Sequence, residues 1–157
     1  MKVLLVEDEE HKTVDLKNRL RVHGVADSDL TFAQSVREAV LAVVTTTFDL
    51  VVLDMALPTF SKVRPDEGGG GLAQAVGGVE VLRAMQASGK RAAIIIVTQY
   101  PDIILNGEKV KLQNVAKIIS QRYEQNVLGG VLYSFNTPKW EAAFDGLLGL
   151  LNARRSL

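Results

Sequence analysis

Short apolar runs alternate along this chain with longer stretches whose apolar residues recur at helical spacing. This alternation predicts an α/β fold around a parallel sheet. Lys2-Val3-Leu4-Leu5-Val6 is apolar at successive positions, as a central parallel strand buried on both faces must be. A helix is expected from about Glu9 to His23, with Leu16 and Leu20 on one face and Gly24 as its stop. A weaker strand lies within Val25–Phe32, diluted by Asp27-Ser28-Asp29 and therefore short or at an edge. Ser35-Val36-Arg37-Glu38 is a capping box that opens a helix carrying Val36, Val40 and Val43 or Val44 inward, and Thr45 to Thr47 end it.

Leu50-Val51-Val52-Leu53 reads as a buried strand that finishes on Asp54. Val79, Leu82 and Met85 form the next helical face, closed at Ser88-Gly89, and Ala92–Thr98 is the most strand-like run in the chain. The second half of 101–129 carries Leu112, Val115, Ala116, Ile119 and Tyr123 at helix spacing. Gly129–Tyr133 reads as the last strand. Thr137-Pro138 opens a final helix striped by Trp140, Phe144, Leu147, Leu148 and Leu151. The expectation is one domain over residues 1–157, with five strands and five helices. Residues 59–77 interrupt the pattern with Asp66-Glu67 and a glycine run, a long loop directly after a strand end. It reads as a flexible insertion, or as a lid or partner-docking loop.

Composition narrows the function. The chain has 157 residues, 47% hydrophobic and 23% charged, the mix of a folded globular protein. Eighteen Lys and Arg balance eighteen Asp and Glu, which argues against direct nucleic-acid binding through phosphates. There is no cysteine and only two histidines, His11 and His23, so a disulfide scaffold, a thiol nucleophile and a Cys- or His-rich zinc site are excluded. No apolar run approaches the ~20 residues that span a bilayer, and the acidic first ten residues do not resemble a signal peptide. A cytoplasmic protein without membrane contact is expected.

The placement of the acids says more than their number. In a parallel sheet the carboxyl ends of neighbouring strands open on one crevice. Glu7-Asp8 follow the first strand, Asp54 the third and Thr98 the fourth. If strands one and three are neighbours, three carboxylates meet, and their repulsion must raise a pKa or be relieved by a divalent cation. Oxygen donors alone favour Mg2+ or Ca2+ over zinc, and Mg2+ suits so small a site. Such an ion can also clamp a phosphoryl group onto a carboxylate nucleophile. Capping of the first helix accounts for acids at its start, but not for Asp54 at the end of an apolar strand.

These segments resemble the receiver domains of two-component response regulators. Val3-Leu4-Leu5-Val6-Glu7-Asp8-Glu9 is similar to the family's first strand and acidic pair, and Asp49–Pro58 to its phosphoacceptor strand and Leu-Pro turn. Gly78-Val79-Glu80-Val81-Leu82-Arg83 resembles the start of its third helix, and Ala93–Thr98 its fourth strand with the switch threonine. The resemblance implies a flavodoxin-like, doubly wound five-stranded sheet of order 2-1-3-4-5. It implies phosphorylation of Asp54, Mg2+ held by Asp8, Asp54 and the Met55 carbonyl with Glu7 nearby, and Thr98 on the phosphoryl oxygens. The implied partners are a sensor histidine kinase or phosphotransfer protein and an unidentified output protein, with a homodimer as a further possibility. Turnover catalysis is not implied, beyond self-phosphorylation and self-dephosphorylation.

Two departures stand out. The insertion separates Pro58 from Gly78, and the lysine with which the family ends its fifth strand is missing: the matching position is Ser134. Lys139, or Lys62 and Arg64 from the insertion, are the candidate substitutes. The family's switch aromatic falls on Val131, with Tyr133 and Tyr100 close in sequence, and the enlarged 101–129 region replaces a short fourth helix. A receiver-like docking module that works without phosphorylation is therefore the alternative function. Enzyme readings fit less well. Ala56 stands where a haloacid-dehalogenase-type phosphatase needs an acid, and Ser88-Gly89-Lys90-Arg91 is no P-loop. Whether the chain stands alone or is part of a longer regulator is left open by its sequence.

Overall fold

The computed structural model describes residues 1–57 and 77–155. The insertion expected at 59–77 lies outside the described residues except for Gly77, as do Pro58, Lys62 and Arg64. The elements are β1 (Val3–Val6), α1 (Glu10–Val22), β2 (Leu30–Ala33), α2 (Val36–Thr45), β3 (Leu50–Leu53), α3 (Gly77–Ala87), β4 (Ala93–Thr98), β5 (Asp102–Leu105), β6 (Glu108–Lys111), α4 (Leu112–Tyr123), β7 (Asn126–Leu132) and α5 (Lys139–Arg155).

Five strands form one parallel sheet in the order β2-β1-β3-β4-β7. This is the expected doubly wound order, with β7 in the place of a fifth strand. β1, β3 and β4 are buried along their whole length, and the pleat divides their side chains between two cores. Val3, Leu5, Leu50, Val52, Ala93 and Ile95 face α1 and α5, where Leu16, Leu20, Phe144 and Leu148 meet them. Leu4, Val6, Val51, Leu53, Ile94 and Ile96 face α2, α3 and α4. Continuous apolar strands and one-sided helices are the two halves of one arrangement.

Local chemistry ends the helices where the sequence said it would. Ser35 Oγ accepts from the Glu38 amide at 3.2 Å, capping α2. Gly24, at φ +87°, stops α1 as its amide donates back to the Arg21 carbonyl.

Two features differ from expectation. β7 begins at Asn126, three residues before Gly129, and bulges at Leu128, because Ile94 pairs with Val127 while Ile95 pairs with Gly129. A Cβ on Gly130 would lie 2.4 Å from Leu112 Cδ1, so the bare backbone of β7 lets α4 close onto the sheet. The first half of 101–129, left unassigned by helix spacing, is the antiparallel hairpin β5–β6. Asn106 and Gly107, both at positive φ (51° and 81°), make its two-residue turn. Ile103, Leu105 and Val110 bury one side of this hairpin in the α2–α4 core.

Candidate functional site

Pairing of β1 with β3 sets Val6 opposite Leu53, so the residues after both strands emerge together at one end of the sheet. Glu7, Asp8 and Asp54 converge there, with one carboxylate oxygen from each lying within 4.8 Å of the others. Glu7 and Asp54 are buried, and Asp8 is partly open. The backbone locks these acids in place. Glu7 Oε1 accepts the amides of Asp8 and Glu9, each at 3.1 Å, and Asp54 Oδ1 accepts the Ala56 amide at 3.0 Å.

Burial disfavours the charged forms. It raises Glu7 to about 8, reinforced by the neighbouring Asp54 carboxylate and opposed by Lys12. Burial likewise raises Asp8 and Asp54, the latter with the Lys12 charge opposing it.

Lys12 is the residue that the sequence reading missed. It stands in the first turn of α1 with its side chain 1% exposed, and its Nζ lies 2.6 Å from Glu7 Oε2 and 3.4 Å from Asp54 Oδ2. The same ammonium donates to the Val97 carbonyl at 3.0 Å, spanning from the helix to the end of β4. Tyr133 flanks it, with its ring centroid 5.8 Å from Nζ. A signal for Lys12 was present in the sequence: Lys12, Leu16 and Leu20 recur every four residues, so this lysine sits in the apolar stripe of its own helix.

The cleft beside Asp54 has a volume of about 120 Å³ and is walled by Asp8, Glu9, Lys12, Asp54, Ala56, Gln99 and Tyr100. Gln99 Nε2 donates to Glu9 Oε2 at 2.8 Å, tying the β4 exit to the start of α1. Thr98 is buried at the end of β4, where its Oγ1 accepts the Tyr100 amide at 3.1 Å and, among the described residues, keeps its own proton to donate. The Met55 carbonyl accepts the Gly78 amide at 3.0 Å, leaving one lone pair.

Ser134, at the position of the missing lysine, is exposed. Lys139 is exposed at the first residue of α5, and among the described residues the cation on Glu7 and Asp54 is Lys12. Val131 is buried, and Tyr133 is turned inward by a 2.5 Å hydrogen bond from its hydroxyl to Asp15 Oδ2. Tyr100 and Phe135 are both exposed at this end, at 59% and 61%.

The donor set fits a hard divalent ion. Three carboxylates against one ammonium leave two negative charges when all four groups are ionised, and every free donor is an oxygen.

No family model matches the chain. Curated relatives do. The Detocs response regulatory protein DtcB of Vibrio alginolyticus is 27% identical over 138 residues, covering 87% of this chain and 91% of that protein. Its counterpart from Enterobacter cloacae is 25% identical over 142 residues, covering 90% and 93%. Among solved structures, the response regulator domain of Thermotoga maritima CheB superposes with a TM-score of 0.62 at 16% identity, covering all of this chain and 97% of that one. The Thermotoga maritima response regulator TrrA, solved in complex with Mg2+ and BeF, gives a TM-score of 0.56 at 24% identity, covering 94% and 99%. No helix among the described residues is long and apolar enough to cross a membrane. With the receiver fold, the acids gathered at the ends of β1 and β3, and sequence similarity to response regulatory proteins over most of its length, the chain resembles the receiver domains of two-component signalling.

Proposed function

We propose that the chain is a phosphoacceptor receiver: Asp54 takes a phosphoryl group from a histidine kinase or phosphotransfer protein, and the modified face then changes its affinity for an output partner. The observation that carries this reading is the buried Asp54 carboxylate, with Asp8 and Glu7 within 4.8 Å and an open cleft on its outer side. Asp8, Asp54 and the Met55 carbonyl would hold Mg2+, with Glu7 close behind. Bound there, the ion would relieve the repulsion among the carboxylates and draw phosphoryl oxygens toward Asp54.

The chain's own residues supply the rest. The Ala56 amide fixes the Asp54 carboxylate and orients it toward the cleft. The Thr98 hydroxyl, free to donate, would bond a phosphoryl oxygen and pull the β4 end inward. Exposed Tyr100 and Leu132, together with the β5–β6 hairpin, stand beside that end and form the surface on which a change would be read. A cytoplasmic location, beside such a kinase, belongs to the same reading.

Incubation with acetyl phosphate and Mg2+ should add about 80 Da, one phosphoryl group, and Asp54→Asn should abolish the gain. No mass gain under any condition would sink this reading. It would favour the docking module, for which the internally paired Glu7–Lys12–Asp54 cluster is the supporting observation.

A further inference from the structure

We infer that Lys12, reaching into the crevice from the first turn of α1, is the catalytic cation of this receiver, in place of a lysine at the end of the last strand. The inference rests on the phosphoacceptor reading and names how that site handles charge.

Three observations carry it. The strand-end position is occupied by Ser134, a short exposed side chain without charge. Lys12 is 1% exposed and its Nζ is surrounded by acceptors: Glu7 Oε2 at 2.6 Å, the Val97 carbonyl at 3.0 Å and Asp54 Oδ2 at 3.4 Å. Two of these anchor the ammonium, and the third is an oxygen of the carboxylate that reacts. Finally, Lys12 helps to wall the cleft on the outer side of Asp54, so the same group can face an incoming phosphoryl oxygen.

The charge balance explains why the site needs it. In the transfer, the P–N bond of a phosphohistidine breaks as an Asp54 oxygen bonds to phosphorus, and the electron pair leaves with the imidazole nitrogen. With acetyl phosphate the P–O bond breaks and acetate leaves. Either way, roughly two negative charges arrive beside carboxylates already crowded together. A preorganised ammonium within contact distance of the reacting oxygen stabilises that charge without reorganising.

The placement also gives a route for a signal. Lys12 contacts the Tyr133 ring at 5.8 Å, Tyr133 lies 5.2 Å from Trp140, and Tyr133 donates to Asp15 on α1. Movement of Nζ from Asp54 toward a phosphoryl oxygen therefore reaches the α1–α5 face, rather than passing along the last strand.

The test compares wild type, Lys12→Met and Lys12→Met/Ser134→Lys in phosphorylation by acetyl phosphate with Mg2+, each checked for folding by circular dichroism. Lys12→Met should be phosphorylated about 100-fold more slowly, the loss typical of removing one charge-stabilising donor, and Ser134→Lys should restore part of the rate. A folded Lys12→Met phosphorylated at the wild-type rate overturns the inference while leaving Asp54 as phosphoacceptor. A wild type that gains no mass overturns the phosphoacceptor reading itself, and this inference with it. Should Lys12→Met not fold, the wild-type protein decides. The 15N resonance of Lys12 Nζ should shift when Mg2+ and beryllofluoride are added together, and an unchanged resonance overturns the inference.

Discussion

Gly78→Ala and Gly146→Ala place the same methyl group in two helices and should change stability in opposite directions. Gly78 lies in the first turn of α3, where a Cβ would sit 2.6 Å from Met55 Cα and 3.1 Å from the Asp54 carbonyl oxygen. Those are backbone atoms of the turn that carries the phosphoacceptor candidate, and they cannot rotate aside. Either α3 lifts away from the β3 exit or the turn deforms, an overpacking cost of ~1–3 kcal/mol. Because neither backbone atom can yield, the cost falls in the upper part of that range, ~2–3 kcal/mol; the helix propensity gained by alanine offsets ~1 kcal/mol of it, leaving a net loss of about 1–2 kcal/mol. Gly146, inside α5, has nothing within 4 Å of its Cβ position. There only the propensity term acts, a gain of about 0.5–1 kcal/mol. At ~2–4 °C per kcal/mol for a chain of this size, Tm should fall by about 2–8 °C in the first variant and rise by about 1–4 °C in the second. Urea titration with a common slope measures both. A Gly78→Ala protein as stable as wild type would refute the close packing of α3 on the Met55 turn. Because the added Cβ would displace the Met55 turn, whose carbonyl is a candidate Mg2+ donor, the replacement should weaken Mg2+ binding as well, whereas Gly146→Ala should not.

Other perturbations test the rest of the arrangement. Phe144 is wholly buried between α5 and the sheet, so Phe144→Ala should cost ~3–5 kcal/mol by denaturant titration; a loss under 1 kcal/mol would contradict that packing. Ser35→Ala removes the cap on α2 and should cost about 1 kcal/mol, while Ser35→Asp should retain most of it. Asp145 is held below the usual aspartate range, first by its hydrogen bond from Arg19 and also by His23. Its contribution is present above the unfolded carboxyl pKa and is lost as pH falls through the lower folded value. The stability gap between wild type and Asp145→Asn should thus be full at pH 7 and close below about pH 4, near the unfolded aspartate pKa; a gap that widens on acidification would contradict the sign. Mg2+ at a hundred times its Kd should stabilise the protein by ~2.7 kcal/mol, EDTA should remove the effect, and Asp8→Asn should remove most of it.

The sequence by itself determined the helices, the central strands and the end of the sheet where the acids meet. Apolar β1, β3 and β4, one-sided helices, and the stops at Gly24 and Gly89 are local signals. A strand period of two and a helix period of 3.6 follow from backbone geometry alone. Glu7, Asp8 and Asp54 were legible for the same reason, since each directly follows a readable strand. The hairpin at Asn106-Gly107 had a local signal too, but its strands are only four residues each and half exposed, and the helical spacing of 112–123 dominated the region.

What only the tertiary structure decided was the cation. Lys12 and Val97 are 85 residues apart, and the pair of acids that Lys12 bridges comes from two different strands. A search for a lysine along the last strand could not find one contributed by the first helix. An ion pair is defined by distance in space rather than by position along a strand. Burial of Lys12 is likewise a property of the packed α1 face, where Nζ finds three acceptors in place of water. The ammonium in the crevice is thus set by how α1 docks on the sheet, while the acids it pairs with are set by where the strands end.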